Sequence, residues 1–309
     1  MIQTIKTVSF MKTCVILILS LFTFIELNAQ DDTEQKTEQS ADDLAKELSN
    51  PNAARGLIFT QFDYTNYSGD ITPNAGQNGV VFNLQPSLPI PLGPGTNIFV
   101  RPLIPIYLSQ PVAGADGFSQ KAGLGNISAD VALGKTWKSG LMTMIGVFAG
   151  FKTASIEALK SPYTSIGPEV VLGYTPKWGF VGVMVNHGFG VGGSDVSAQD
   201  FDILQDAVVT STGGVPRKSS VTAGQYFYVV GVGNGWQISG TPTFAYNHNG
   251  EDGNRLTFPV GTGVIKVTNF GKLPVKLALQ YWYYVASPDN FGPQHLVRLQ
   301  IAPVVPLPW

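Results

Sequence analysis

Three histidines, His187, His248 and His295, are the first residues to weigh for chemistry, because imidazole titrates near neutrality and can serve as base or ligand. A nucleophilic hydrolase pairs such a base with an activated serine or cysteine and an orienting third group. No G-x-S-x-G turn occurs in the chain. The single cysteine, Cys14, lies in an apolar leader, so a mature chain has no thiol for catalysis, disulfides or a Cys-based metal site. His248 with Glu251 and Asp252 offers donors for a cation, but NHNGEDGN at 247–254 reads more simply as a solvated loop. GLGN at 123–126 and GVGNG at 231–235 lack the helix that must follow a phosphate loop, and read as strand-end glycines. The expectation is a protein that is not an enzyme, with no catalytic residue, no metal and no cofactor.

A second polar set follows a different logic. Asn83, Gln85, Arg101, Glu169, Lys276, Gln280, Arg298 and Gln300 all sit in stretches that alternate polar and apolar residues. Val297, Leu299 and Ile301 take the opposite parity to Arg298 and Gln300; Ile98, Val100 and Ile104 oppose Asn97 and Arg101. Val275, Leu277, Leu279 and Tyr281 likewise oppose Lys276 and Gln280. Alternation with period two places successive side chains on opposite faces of a strand. If the apolar face meets lipid, a charge there near midplane costs about 2–4 kcal/mol, so the charged row must face a lumen. Such a row either lines a permeation path or forms a paired network that stiffens the barrel, and both readings stand.

The elements that would position this row are strands. About twelve runs of ten to fifteen residues follow residue 53, near 56–67, 79–90, 96–109, 124–137, 140–153, 163–175, 178–191, 224–234, 236–248, 254–269, 272–286 and 293–307. Their connections alternate. Pro91–Gly95, Trp137–Gly140, Thr175–Gly179, Gly233–Trp236 and Asn269–Lys272 are tight turns. Ser68–Asn78, Ser109–Gly123, Ala154–Pro162, Gly192–Ala223, Asn249–Gly253 and Ser287–Gly292 are longer. Sorting short turns to one end and long loops to the other is the habit of an outer-membrane barrel. Trp137, Trp178, Trp236, Phe270 and Trp309 fall at the tight turns or the carboxyl terminus, as one aromatic girdle. Tyr64, Tyr67, Tyr107, Tyr163, Tyr246, Tyr283 and Tyr284 would form the other. Arg255 and Lys266 differ in parity, which predicts a bulge near Gly261 or Gly263.

Composition agrees with an all-β chain: 35 Gly, 21 Pro and only 13% charged residues among 309, with a net charge of -2 that offers nucleic acid nothing. A basic start, the apolar run Val15–Ile25 and Leu27-Asn28-Ala29 read as a signal peptide over 1–29, with Met1 and Met11 both open as starts. Residues 30–52 read as an acidic periplasmic segment with a short helix over Ala41–Leu48, more simply solvated than docked on the barrel mouth. Residues 53–309 would form the barrel.

The residues also resemble a known family. LAKELSNPNA (44–53), NLQPSLPIPL (83–92), NIFVRPLIPIYLSQP (97–111), GLGNISADVAL (123–133) and RLQIAPVVP (298–306) carry the likeness. Together they resemble the bacterial outer-membrane family labelled for the meta-pathway of phenol degradation, whose members are often called transporters. The resemblance implies a transmembrane antiparallel outer-membrane β-barrel and traffic in small hydrophobic or aromatic molecules.

The sequence thus predicts a monomeric barrel of the Gram-negative outer membrane, porin-like, passing small molecules, with the 192–223 loop as a gate. Expected partners are outer-membrane lipid and lipopolysaccharide, the insertion machinery through the C-terminal strand, and a small-molecule cargo. The alternative is a non-conducting structural or surface-interaction barrel that acts through its extracellular loops.

Overall fold

A computed structural model describes residues 40–71, 76–114, 117–193 and 219–308. The strands are β1 (Gly56–Ser68), β2 (Gln77–Gly93), β3 (Thr96–Gly114), β4 (Gly117–Leu124), β5 (Ser128–Thr136), β6 (Leu141–Gly150) and β7 (Tyr163–Tyr174). They continue as β8 (Gly179–Gly193), β9 (Ser220–Gly233), β10 (Trp236–Gly240), β11 (Thr243–Asn247), β12 (Leu256–Phe270), β13 (Leu273–Ala286) and β14 (Gly292–Val305). Two pairs, β4/β5 and β10/β11, are halves of interrupted strands, so the wall has twelve strands. Every pairing is antiparallel, and β1 closes on β14 through a register that includes Gln61↔Gln300 and Asp63↔Arg298. Closure gives each of the twelve wall strands a partner on both sides, so the sheet has no terminal edge strand.

The alternation read from the sequence is the alternation of the wall. Ile145 (66% exposed), Leu172, Val264, Leu279 and Leu299 point out, while Phe99, Glu169, Ile265, Gln280 and Gln300 are buried inside. Val275, expected outward, is instead buried near the foot of β13, where it pairs with Pro303. The expected 109–123 loop is a hairpin: β3 and β4 run on past the wall to Gly114 and Gly117. Of the expected 192–223 loop, Gly192, Gly193 and 220–223 belong to strands, and 194–218 lie outside the described residues.

Two further expectations change. The bulge of β12 lies between Phe258 and Pro259, not at Gly261 or Gly263. Lys266 needs no bulge because it stays on the outer face at the short-turn end, where its ammonium lies 5.1 Å over the Trp236 ring and donates to the Asn234 carbonyl. Lys135 does the same towards Pro94 O and Thr96 Oγ1. A long stem on apolar surface with its head at the rim costs little. At the β9–β10 turn, Gly233, Asn234 and Gly235 take φ values of 95°, 53° and 72° in succession, which only such a Gly-Asn-Gly run tolerates well.

Residues 40–55 do not hang in solvent; they cross the short-turn mouth. Helix α1 (Ala41–Glu47) starts at Ser40, whose hydroxyl caps Asp43 N at 3.1 Å, with Asp42 and Asp43 in the first turn and Lys46 in the last. Its face of Leu44, Ala45 and Leu48 packs on inward residues Leu57, Ile265, Val267, Ala278, Ala302 and Val304. Burying each leucine stabilises the docking by roughly 1.5–3 kcal/mol. On one side Gln237 Nε2 donates to Ala45 O (3.0 Å) and Ser49 Oγ (2.8 Å), and Gly235 N donates to Asp42 (2.6 Å). On the other, Asn52 Nδ2 reaches Gly95 O (3.0 Å) and Thr136 Oγ1 (2.8 Å), while Asn97 donates to Asn52 O (2.9 Å).

Candidate functional site: the lumen

Above this segment the barrel encloses a cavity of about 580 Å3. All eight residues of the polar row border it: Asn83, Gln85, Arg101, Glu169, Lys276, Gln280, Arg298 and Gln300. All but Gln85 and Lys276 fall into two groups built on ion pairs rather than one file. In the first, Arg101 on β3 donates through Nε to Asp130 Oδ2 on β5 (2.7 Å) and through Nη2 to Glu169 Oε1 on β7 (3.0 Å). Asn186 on β8 approaches the second Glu169 oxygen at 3.5 Å. One guanidinium thus ties β3 to β5 and, past the intervening β6, to β7 along one side of the lumen, and its Nη2 also lies 3.4 Å from Met184 Sδ on β8.

The second group is a bidentate clamp. Arg298 Nε and Nη2 donate to the two oxygens of Asp63, both at 2.7 Å, and Asn83 Nδ2 donates to Asp63 Oδ2 at 3.0 Å. The Arg298 plane lies 4.4 Å over the Trp282 ring. Trp282 Nε1 donates to Gln280 Oε1 (3.0 Å), and Gln61 Nε2 donates to Gln300 Oε1 (3.0 Å). Fork-to-fork pairing fixes both partners and satisfies the guanidinium where water is scarce. Lys276 differs: among the described residues it has no hydrogen-bond or ion-pair partner, and it borders the cavity between Val267 and Ala302 of the adjoining strands.

Sequence reasoning missed both carboxylates. Asp63 shares parity with Gln61 and Thr65, and Asp130 with Ala132, so the alternation that placed Arg101 would have found them. The same rule corrects the second tyrosine band. Tyr67, Tyr107 and Tyr284 carry inward parity, Tyr284 borders the cavity, and Tyr163 is buried; Tyr64 and Tyr283 stand exposed outside. Trp137, Trp178, Trp236 and Phe270 are exposed at the short-turn end, and Trp309 lies outside the described residues.

The histidines do not face the cavity row. His187 Nδ1 and His248 Nε2 each contact Thr222 Oγ1 at 2.8 Å, and His295 Nδ1 contacts Tyr281 Oη at 2.7 Å. These residues are spread along the outer face near the long loops.

No protein-family model and no curated protein matches the chain. Among solved structures, an outer membrane channel from Pseudomonas putida F1 matches with a TM-score of 0.57 at 13% identity, over 81% of this chain and 94% of that one. The NanC porin matches with a TM-score of 0.49 at 9% identity, over 81% and 100% of the two chains. The toluene transporter TodX of Pseudomonas putida gives 0.41 at 10%, over 84% and 92%. The fold is that of an outer-membrane β-barrel.

Proposed function

We propose that this protein is exported through its leader (1–29) to the outer membrane of a Gram-negative cell and there passes small molecules through its lumen. In this reading the short turns and residues 30–52 are periplasmic, the long loops are extracellular, and Trp137, Trp178, Trp236, Phe270 and Trp309 mark the inner headgroup level. The observation that carries it is the lumen itself. A barrel wall that turns apolar side chains outward holds a cavity of about 580 Å3 lined by the polar row, within the range of small-molecule sites. A structural plug needs no such space. The cavity's mixture of Phe59, Leu103, Phe227 and Phe244 with Gln85 and Gln225 suits a largely hydrophobic or aromatic cargo carrying one or two polar groups. That the similar Pseudomonas putida barrel is described as a channel is in keeping with this reading.

Single-channel recording of the refolded, leader-free protein in a planar bilayer tests it, paired with Arg101→Glu. The expected result is discrete conductance whose ion selectivity shifts in the variant, because the substitution puts a third carboxylate beside Asp130 and Glu169. A folded, heat-modifiable barrel with no conductance in either form would favour the non-conducting alternative.

A further inference from the structure

Four cationic side chains border the cavity, and three of them are already answered. Arg55 pairs with Glu47, Arg101 with Asp130 and Glu169, and Arg298 with Asp63. Lys276 is the fourth. Among the described residues its ammonium meets no carboxylate, and no carbonyl or hydroxyl accepts from it.

Its surroundings sharpen the anomaly. β13 turns its even-numbered residues inward, so Lys276 shares the lumen face with Ala278, Gln280 and Trp282. Directly across from it stand Val267 on β12 and Ala302 on β14. Val267, Ala278 and Ala302 all belong to the apolar cluster that α1 covers, and Phe59 packs on that cluster as well. What Lys276 leaves uncovered borders the cavity, and the two alanines leave room about it that larger side chains would fill. Gln300 lies opposite Ala278 and so diagonal to Lys276, a spacing of about 7–8 Å that long side chains bridge. Its Oε1 is taken by Gln61 Nε2, which leaves its own Nε2 as a free donor at the cavity wall.

A lone ammonium among apolar groups is costly, and an anion held against it by charge-assisted hydrogen bonds offsets that cost. The other cations are poorly placed to hold a second anion. Arg298 already gives both ends of its fork to Asp63, and Asp130 and Glu169 outnumber Arg101 by one. The rest of the cavity is shaped for a ring, with Phe59, Phe227 and Phe244 on its walls.

We propose that the lumen holds a small aromatic acid, its carboxylate on Lys276 Nζ with Gln300 Nε2 beside it and its ring among these phenylalanines. The proposal rests on the passage reading and names the polar group of its cargo. An amine at the same place meets like charge. A neutral amide keeps the shape of the acid and lacks its charge.

The test uses the leader-free, detergent-solubilised barrel and two probes of one shape, benzoate and benzamide, titrated by calorimetry at neutral pH. Benzoate is expected to bind about tenfold more tightly or better, the factor that a charge-assisted hydrogen bond supports. Lys276→Met keeps the stem, removes the charge and is expected to bind both probes alike. Lys276→Arg is expected to restore the preference, and Lys266→Met, on the outer face, to leave it unchanged. Heat-modifiable mobility shows that each variant has folded, and the comparison of the two probes on the unaltered protein depends on no variant. Three results overturn the site: benzoate bound no better than benzamide, neither probe bound, or a preference for benzoate that survives Lys276→Met. Planar-bilayer conductance of the same preparation judges passage separately. Conductance without a preference for benzoate removes the carboxylate site and keeps the passage reading. A preference that Lys276→Met abolishes, without conductance, keeps the site and removes the passage reading.

Discussion

The two halves of this barrel wall are held by opposite means. From β14 through β1 and β3 to β7, the inter-strand ladder is laid with short interruptions and its lumen face carries guanidinium–carboxylate pairs, Arg298 with Asp63 and Arg101 with Asp130 and Glu169. Between β10/β11 and β12 the ladder is interrupted where 240–244 face 258–262, no ion pair crosses there among the described residues, and the hydroxyls of Tyr226 and Tyr228 with the amides of Gln225 and Gln280 hold the edges. Charge-assisted forks are strong, rigid and costly to break singly; neutral bonds contribute about 1 kcal/mol each and are readily remade. A wall built this way has a fixed side and a yielding side.

The largest effect that separates the two sides should come from Asp63→Ala. It strands Arg298 in a site where both side chains are under a tenth exposed, at a cost of about 3–5 kcal/mol in denaturant unfolding of the detergent-solubilised barrel. Replacing the pair together, Asp63→Leu with Arg298→Met, should recover most of that loss, since two buried charges are then removed at once. A recovery that fails would mean that the clamp also fixes register. On the yielding side, Gln225→Leu removes the donor to Thr241 O and should cost about 1–3 kcal/mol. It should appear as faster amide exchange at 240–244 rather than as a lower global midpoint. A purely global loss would erase the distinction between the sides. The smallest effect is expected from Lys266→Gln, where β10 and β12 are still paired. Losing the contact over Trp236 should cost about 0.5–1 kcal/mol, with exchange at 240–244 untouched.

Much of this wall could be read from the chain because membrane strands carry their own instructions. Alternation sets the facing of Arg101, Glu169 and Arg298, and the tight turns set their order, without knowledge of any partner. The pairing of those charges was less legible. It needs Asp63 and Asp130, short carboxylates whose parity was available but whose places directly opposite Arg298 and Arg101 depend on strand register, and Glu169, which meets Arg101 from beyond β5 and β6 only through the curvature of the closed sheet. The docking of α1 was hidden for a different reason. Seven helical residues give too short a period to weigh, and the bond from Gly235 to Asp42 joins positions 193 apart. The interrupted ladder between β10/β11 and β12 was hardest, because apolar alternation continues through Ala245 and Val260 as though the ladder were whole; Pro242 and Pro259 were its only marks.

The segment that crosses the short-turn mouth has a mechanical consequence. Its contacts at Gly95, Asn97 and Thr136 belong to the third and fourth strands of the ring, and those at Gly235 and Gln237 to the turn into, and the body of, the ninth. In a ring of twelve these lie nearly opposite each other. Residues 40–55 are therefore a spoke laid along a diameter. A thin cylinder flattens most easily at an open rim, and a spoke resists that ovalisation along its own axis, so any sideways load on the wall is turned towards the unbraced height where the ladder is interrupted.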